Sequence, residues 1–306
     1  MALLNTRSWG GWLAPGAEGA EGAVGAEGAV GAPEPHLPVP GPPIREGSPT
    51  RGGEGAAVHS PPGPLGPLAV LVHGVTSSSR TWWRVGPALV GRGFRVLAVD
   101  LRGHGSSARA EAGLAVADLA DDVAETVADA GGPVDLLVGH SLGALVALEL
   151  VGRHPGFARQ LVVEDPPGRS SVDWAGLAAG IEFDTARAAT DPEGLRRDLE
   201  AANPAWPPGE AERRAADLAD CDGRPVADAI RPGVAFDLPA LLAAAPLPTL
   251  MLLAEETLGS NLTGLDRKAA VDALPAGTTR VLPAGHSLHR EALDAWLAAL
   301  DAWLAG

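Results

Sequence analysis

Cys221 is the only cysteine in 306 residues, so no intramolecular disulfide can form and the fold must rest on its core, which suits a reducing compartment. No apolar run approaches the roughly 20 residues that cross a bilayer. The opening Met1–Arg7 lacks the basic start and apolar core of a secretory signal. A cytoplasmic location is therefore the expectation. Positive charge is scarce: 23 Lys and Arg stand against 38 Asp and Glu, a formal net charge of −15. Such a chain is a poor partner for nucleic acid or an anionic membrane. Its acidic residues are scattered rather than blocked, which reads as a solubilising surface. No histidine–carboxylate cluster has metal-ligand spacing, and the glycines near Gly103 and Gly105 form neither G-x-G-x-x-G nor a phosphate loop. No metal or cofactor is expected.

Apolar residues make up 46% of the chain, enough to bury one sizeable core. They are unevenly spread. Residues 11–67 are dominated by Gly, Ala, Pro and Glu, and Glu21-Gly22-Ala23-Val24-Gly25-Ala26 repeats at once as Glu27-Gly28-Ala29-Val30-Gly31-Ala32. A segment with so little to bury is expected to be a disordered insertion. From residue 68 onward, short apolar runs alternate with helical periodicity. Val116, Leu119, Ala120, Val123 and Val127 recur at helical spacing, and Gly131-Gly132-Pro133 ends that helix. Continuous apolar strands between amphipathic helices imply a mostly parallel sheet covered on both faces. Residues 168–246 lose the alternation, and Thr249–Leu253 resumes it. Near the end, Ala292–Ala298 is copied at Ala299–Ala305 with apolar residues three and four apart, a terminal helix packed on the sheet.

The most informative motif is Gly139-His140-Ser141-Leu142-Gly143, directly after the apolar run Val134–Val138 and before the Ala-rich stretch Leu142–Val151. A strand, a turn too tight for large flanking side chains and a helix form a nucleophile elbow, which lifts the serine hydroxyl to the end of a sheet. The helix N-terminus behind it offers free N–H groups to a developing oxyanion. Three further segments accompany it: Leu68–Val72 leading into His73-Gly74-Val75-Thr76, Phe94–Val99 leading into Asp100-Leu101-Arg102-Gly103-His104-Gly105, and Thr279–Leu282 leading into Ala284-Gly285-His286-Ser287. Asp100 reads as part of a turn built by local hydrogen bonds rather than as a reactive group. Of Trp82 and Trp83, one is expected in the core and the other along a pocket.

These segments, in this order, resemble the α/β-hydrolase superfamily over residues 68–306. The resemblance implies an α/β fold: a mostly parallel, doubly wound sheet of the α/β-hydrolase type with a small helical cap. Residues 68–167 and 247–306 would form the core and 168–246 the cap. Leu4–Gly10 looks like the opening strand of a bacterial subgroup, so residues 1–10 are expected to supply the first strand, with 11–67 inserted after it.

A serine hydroxyl needs an adjacent base. The Gly-His-Ser context matches the family's catalytic histidine, which implies Ser141 as nucleophile and His286 as base. The acid usually follows the seventh strand as Asp, but here that loop reads Ala254-Glu255-Glu256-Thr257-Leu258-Gly259. Glu255 takes the position by alignment on Leu-Gly; Glu256, or Glu164 and Asp165 at the end of the sixth strand, are the alternatives. The oxyanion hole would be the backbone N–H groups of Val75 and Leu142. The implied activity is hydrolysis of a small-molecule carboxylic ester or related acyl substrate through an acyl-enzyme. Lactonase, thioesterase, C–C hydrolase and acyltransferase chemistry, and a non-catalytic ligand binder, are the competing readings. Haloalkane dehalogenases and epoxide hydrolases resemble this fold but use an aspartate nucleophile, which Ser141 argues against.

Overall fold

The computed structural model describes residues 4–10, 66–110, 114–128, 133–245, 247–274 and 278–306. The expected insertion at 11–67 lies outside the described residues except for 66 and 67. Elements run in the order β1 (Thr6–Trp9), β2 (Leu68–Val72), α1 (Val85–Val90), β3 (Arg95–Val99), α2 (Val116–Ala128), β4 (Val134–His140), α3 (Leu142–Arg153) and β5 (Ala158–Glu164). Five helices follow: α4 (Trp174–Thr190), α5 (Pro192–Ala202), α6 (Glu210–Ala219), α7 (Gly223–Ile230) and α8 (Leu238–Ala244). The chain closes with β6 (Thr249–Ala254), α9 (Gly264–Asp272), β7 (Thr279–Leu282), α10 (Leu288–Glu291) and α11 (Leu293–Leu304).

The strands form one sheet in the order β1-β3-β2-β4-β5-β6-β7, parallel except for β1. Alternation divides each strand between two cores, because successive side chains point to opposite faces. All five residues of β2 are buried. Leu68, Val70 and Val72 join the face covered by α2, α3 and α8, while Ala69 and Leu71 join the face covered by α1 and α11. This two-sided burial is why the strands read as unbroken apolar runs.

The short β1 is held by more than its ladder. It pairs antiparallel with β3 from Thr6 opposite Val99 to Trp9 opposite Val96. Leu4 is buried and its N–H donates to Thr126 Oγ1 at 2.9 Å. The Asn5 side chain donates to Asp100 Oδ2 at 3.0 Å. Asp100 also accepts from the Ser79 N–H at 2.6 Å and the Ser106 N–H at 3.0 Å. It is thus a turn residue that ties three segments together.

Helices α4 to α7 form small clusters of their own: Ala178, Ile181, Cys221 and Ile230 in one, Ala188, Leu195, Ala215 and Leu218 in the other. Helix α8 belongs elsewhere. Its Leu238 and Leu242 pack into the main core, although the sequence reading placed it with the cap.

Helix α11 buries Trp296 completely, and the indole N–H donates to Glu164 Oε2 at 3.0 Å. Trp296→Ala is expected to cost about 3–5 kcal/mol through the cavity it leaves. Trp296→Phe keeps most of the ring but leaves that carboxylate oxygen short of a donor, a loss of about 1–3 kcal/mol. Urea unfolding followed by circular dichroism checks both.

Candidate active site

Strand β4 and helix α3 meet at Ser141, whose backbone is left-handed at φ 54° and ψ −119°. Only glycine fits two residues to either side of it. A Cβ on Gly139 would strike the Gly143 carbonyl, and one on Gly143 would strike the carbonyls of Val72 and His73. Among the described residues three non-glycine positions have positive φ: Thr76, Ser141 and Asp165, at 59°, 54° and 38°. Such backbone costs of the order of 1–3 kcal/mol per residue and persists only where surrounding contacts dictate it. Here Thr76 and Ser141 line one cavity, and Asp165 hydrogen-bonds a third residue lining it, His286.

His286 sits between β7 and α10, and its Nδ1 lies 2.7 Å from Asp165 Oδ2. Asp165 follows β5 and is fully buried. Its Oδ1 accepts from the Ala254 N–H at 3.1 Å and the Ser260 hydroxyl at 2.6 Å; its Oδ2 also accepts from the Asn261 N–H at 3.0 Å. Burial pushes this carboxyl up, but the hydrogen bond and charge of His286, with the Ser260 and Asn261 donors, outweigh it and hold it below the usual aspartate range. An ionised Asp165 can only accept, so Nδ1 of His286 carries the proton and Nε2 of the neutral ring is left as an acceptor.

The partner of His286 is therefore Asp165, kept in the sequence reading as an alternative, and not Glu255. Glu255 is half-buried, and its N–H donates to the Ala284 carbonyl at 2.9 Å. Glu256 is exposed and pairs with Arg267 at 3.2 Å. The loop after β6 does not supply the carboxylate. It supplies two of the donors that saturate the carboxylate arriving from the neighbouring strand, Ser260 and Asn261, and the last residue of β6 supplies a third.

Glu164 lies in a separate, fully buried network. Its Oε1 meets the His289 N–H at 3.1 Å and His289 Nδ1 at 2.7 Å, while His289 Nε2 lies 2.6 Å from the Thr81 hydroxyl. His140, Glu164 and His289 come close enough to hold a metal, a grouping their sequence spacing conceals. Both nitrogens of His289 and both oxygens of Glu164 already have hydrogen-bond partners. His140 Nε2 donates to the His286 carbonyl at 3.0 Å, which fixes the backbone of that loop. Burial lowers the pKa of His140 well below the ordinary histidine range, keeping it neutral.

His73 shapes the loop after β2. Its Nε2 accepts from the Leu101 N–H at 2.9 Å, so Nδ1 carries the proton and donates to the Gly74 carbonyl at 2.8 Å. That bond orients the peptide whose nitrogen belongs to Val75. At the elbow, the Leu142 N–H opens α3 and has no carbonyl one turn back to bond.

Val75, Ser141, Leu142 and His286 line a single cavity of about 210 Å³, with apolar walls from Trp174, Leu177 and Ile230. Trp82 is in the core, whereas Trp83 donates to Glu210 Oε2 at 2.7 Å. Trp206, one of the isolated aromatics of residues 168–246, also lines the cavity, as do Arg214 and Arg290, which sequence reasoning missed. Nothing local marks them: α6 carries its polar residues at ordinary helical spacing, and only the fold brings it over residues 76–80.

Residues 69–300 match the alpha/beta hydrolase family. The chain is 32% identical over 246 residues to the protein assigned as carbamate hydrolase RutD in Variovorax paradoxus, covering 76% of this chain and 88% of that one. It is 39% identical over 102 residues to epoxide hydrolase B of Mycobacterium tuberculosis, which is 33% of this chain but only 29% of the relative. Among solved structures, N-formylmaleamic acid deformylase from Pseudomonas putida superposes with a TM-score of 0.63 at 24% identity, over 77% of this chain and 92% of that one. That likeness is one of fold. Among the described residues no helix is long and apolar enough to cross a membrane.

The lowered Asp165 pKa makes the ionised carboxylate a stabilising group. Its contribution is complete above the unfolded value of about 3.9 and is lost as pH falls through the lower folded value. Wild type should exceed Asp165→Asn in unfolding free energy at pH 7, with the gap closing as pH falls below about 4. Denaturant titrations across that range measure it.

Proposed function

We propose that this chain, which belongs to the alpha/beta hydrolase family, is a serine hydrolase cleaving a carboxylic ester or related acyl compound through an acyl-enzyme. The observation that carries the reading is the pairing of His286 with buried Asp165 at a cavity that Ser141 also lines. Asp165 fixes the tautomer that leaves Nε2 of His286 free to take a proton. Ser141 Oγ attacks the acyl carbon while His286 accepts the hydroxyl proton. The carbonyl oxygen becomes an oxyanion and accepts from the Val75 and Leu142 N–H groups. Such a donor contributes about 10²- to 10³-fold in turnover. The tetrahedral adduct then collapses: the bond to the leaving group breaks, His286 returns the proton to it, and the acyl group stays on Ser141. Water attacks that ester with His286 again as base, releasing the acid and restoring the serine.

Amide and carbamate substrates follow the same steps with a leaving amine, and the RutD relative favours that as the second reading. The local likeness to an epoxide hydrolase is not carried over, since the elbow here presents a serine. The coupling of Asp165 to His286 likewise disfavours a decayed binding protein, which has no need of it.

A fluorophosphonate probe with adduct mapping by mass spectrometry tests the reading. Labelling is expected at Ser141 and should be lost in His286→Ala. On an ester that the wild type turns over, Asp165→Asn should lower turnover by about 10³- to 10⁴-fold, whereas Glu255→Gln should change it less than about threefold. An unlabelled but folded wild type, or equal losses in the two carboxylate variants, would sink the assignment.

A further inference from the structure

Helices α6 and α10 bring two guanidinium groups to the cavity wall, Arg214 and Arg290. They differ in charge balance. Arg290 lies 3.0 Å from Glu210 and 3.7 Å from Asp217 and donates to Thr81 and Ser77, each at 3.0 Å. Asp217 also pairs with Arg80 at 3.1 Å, and Arg80 holds Asp220 at 2.5 Å. The three carboxylates of this region are therefore shared between Arg80 and Arg290.

Arg214 has no carboxylate within ion-pair distance among the described residues. Its hydrogen bonds go to one neutral residue: the Thr76 carbonyl and, at 2.7 Å, the Thr76 hydroxyl. A guanidinium has five N–H donors, so part of its capacity is unspent. Burial first, and then the charge of Arg290, bring its pKa down to about 10, against the longer-range pull of Asp217 and Asp184. A second donor on the same wall lacks an acceptor: the Trp206 indole N–H is buried without a partner, and its ring lies 5.6 Å from the Arg290 guanidinium. A cation with no carboxylate in direct contact and an N–H short of an acceptor share one cavity with Ser141. Both deficits are met by the same kind of group.

We propose that the substrate carries a free carboxylate in addition to its scissile acyl bond, and that Arg214, with the Trp206 N–H, receives it. The substrate class is then a small half-ester or half-amide of a dicarboxylic acid. This deepens the serine-hydrolase reading and rests on it. The geometry suits the assignment because Arg214 binds Thr76, next in the chain to Val75. Anchoring at Arg214 places the scissile carbonyl near the amide assigned to the oxyanion.

Calorimetric titration of Ser141→Ala protein with monomethyl succinate, glutarate and adipate, each beside its dimethyl counterpart, tests this without turnover. The best monoester should bind about tenfold or more tightly than its diester, since one charged hydrogen-bonded pair distinguishes them. Adding Arg214→Gln should abolish the preference, and Arg214→Lys should keep part of it. Trp206→Phe, which leaves the Arg214–Thr76 contact in place, should weaken monoester binding severalfold and leave diester binding unchanged. Equal or better binding of every diester, a preference that survives Arg214→Gln, or no binding of any of the six at millimolar concentration would overturn the proposal. Fluorophosphonate labelling of the wild type reads the other question separately. Ser141 labelling without carboxylate preference leaves the hydrolase reading standing and this proposal fallen. Carboxylate preference without labelling overturns the hydrolase reading, and the substrate class with it.

Discussion

The site is organised around one buried carboxylate that has no unused acceptor. Asp165 leaves the end of β5 with a left-handed backbone and receives four donors, one from the last residue of β6, two from the loop after it and one from His286. A carboxylate buried without such donors would take up a proton and lose its hold on the imidazole. With them it stays ionised, fixes the ring's tautomer and ties β5, the β6 loop and the β7–α10 loop into one body. His140 extends this by bonding the His286 carbonyl, so the imidazole is held from its ring and from its backbone. The strain at Ser141, Thr76 and Asp165 is borne by contacts of this kind, each of which removes an alternative conformation.

A second constraint joins the inserted helices to the loop after β2. Asp217 of α6 accepts from the Ser77 and Ser78 hydroxyls at 3.2 and 2.5 Å and pairs with Arg80, while Arg214 reaches Thr76 one turn earlier. Residues i and i+3 of one helix therefore grip a single loop. That loop carries the amide assigned to the oxyanion, so the helices over the cavity and the chemistry beneath them are mechanically coupled. Helix α8, by contrast, packs into the core and has no part in this grip.

The fold was legible because its signals are local and repeated. Buried parallel strands must be apolar on both faces, and the elbow glycines are dictated by backbone approach, so both can be read without any long-range contact. The turn at Ser141 was legible for the same reason, whereas His286 was singled out through the Gly-His-Ser context of the resembled family. Asp165 was only one of several candidates, since the choice among acids depends on which carboxylate ends within reach of the imidazole across two strands. Glu255 has the expected place in the chain and lacks the contact; Asp165 gains it because Ser260 and Asn261 turn their donors inward. Arg214 and the polar role of Trp206 were invisible, since a cation or an N–H without a partner can be recognised only when its neighbours are known. Composition pointed correctly to a core of ordinary size, but it could not say that α8 joins that core.

The net charge of −15 and the charge of the cavity wall answer different questions. Exposed acidic residues act through water and salt, and at physiological ionic strength their influence fades over about 8 Å. They oppose a polyanion, whose many charges meet many of theirs. A single small carboxylate inside the cavity meets a different field. There the nearest carboxylates are already in ion pairs with Arg80 and Arg290, and Arg214 has none in contact among the described residues. Charge at contact distance outweighs a screened surface average. A negative net charge therefore does not preclude an anionic small molecule as ligand, and what decides is whether a cation on the cavity wall lacks a partner in contact rather than the sum over the chain.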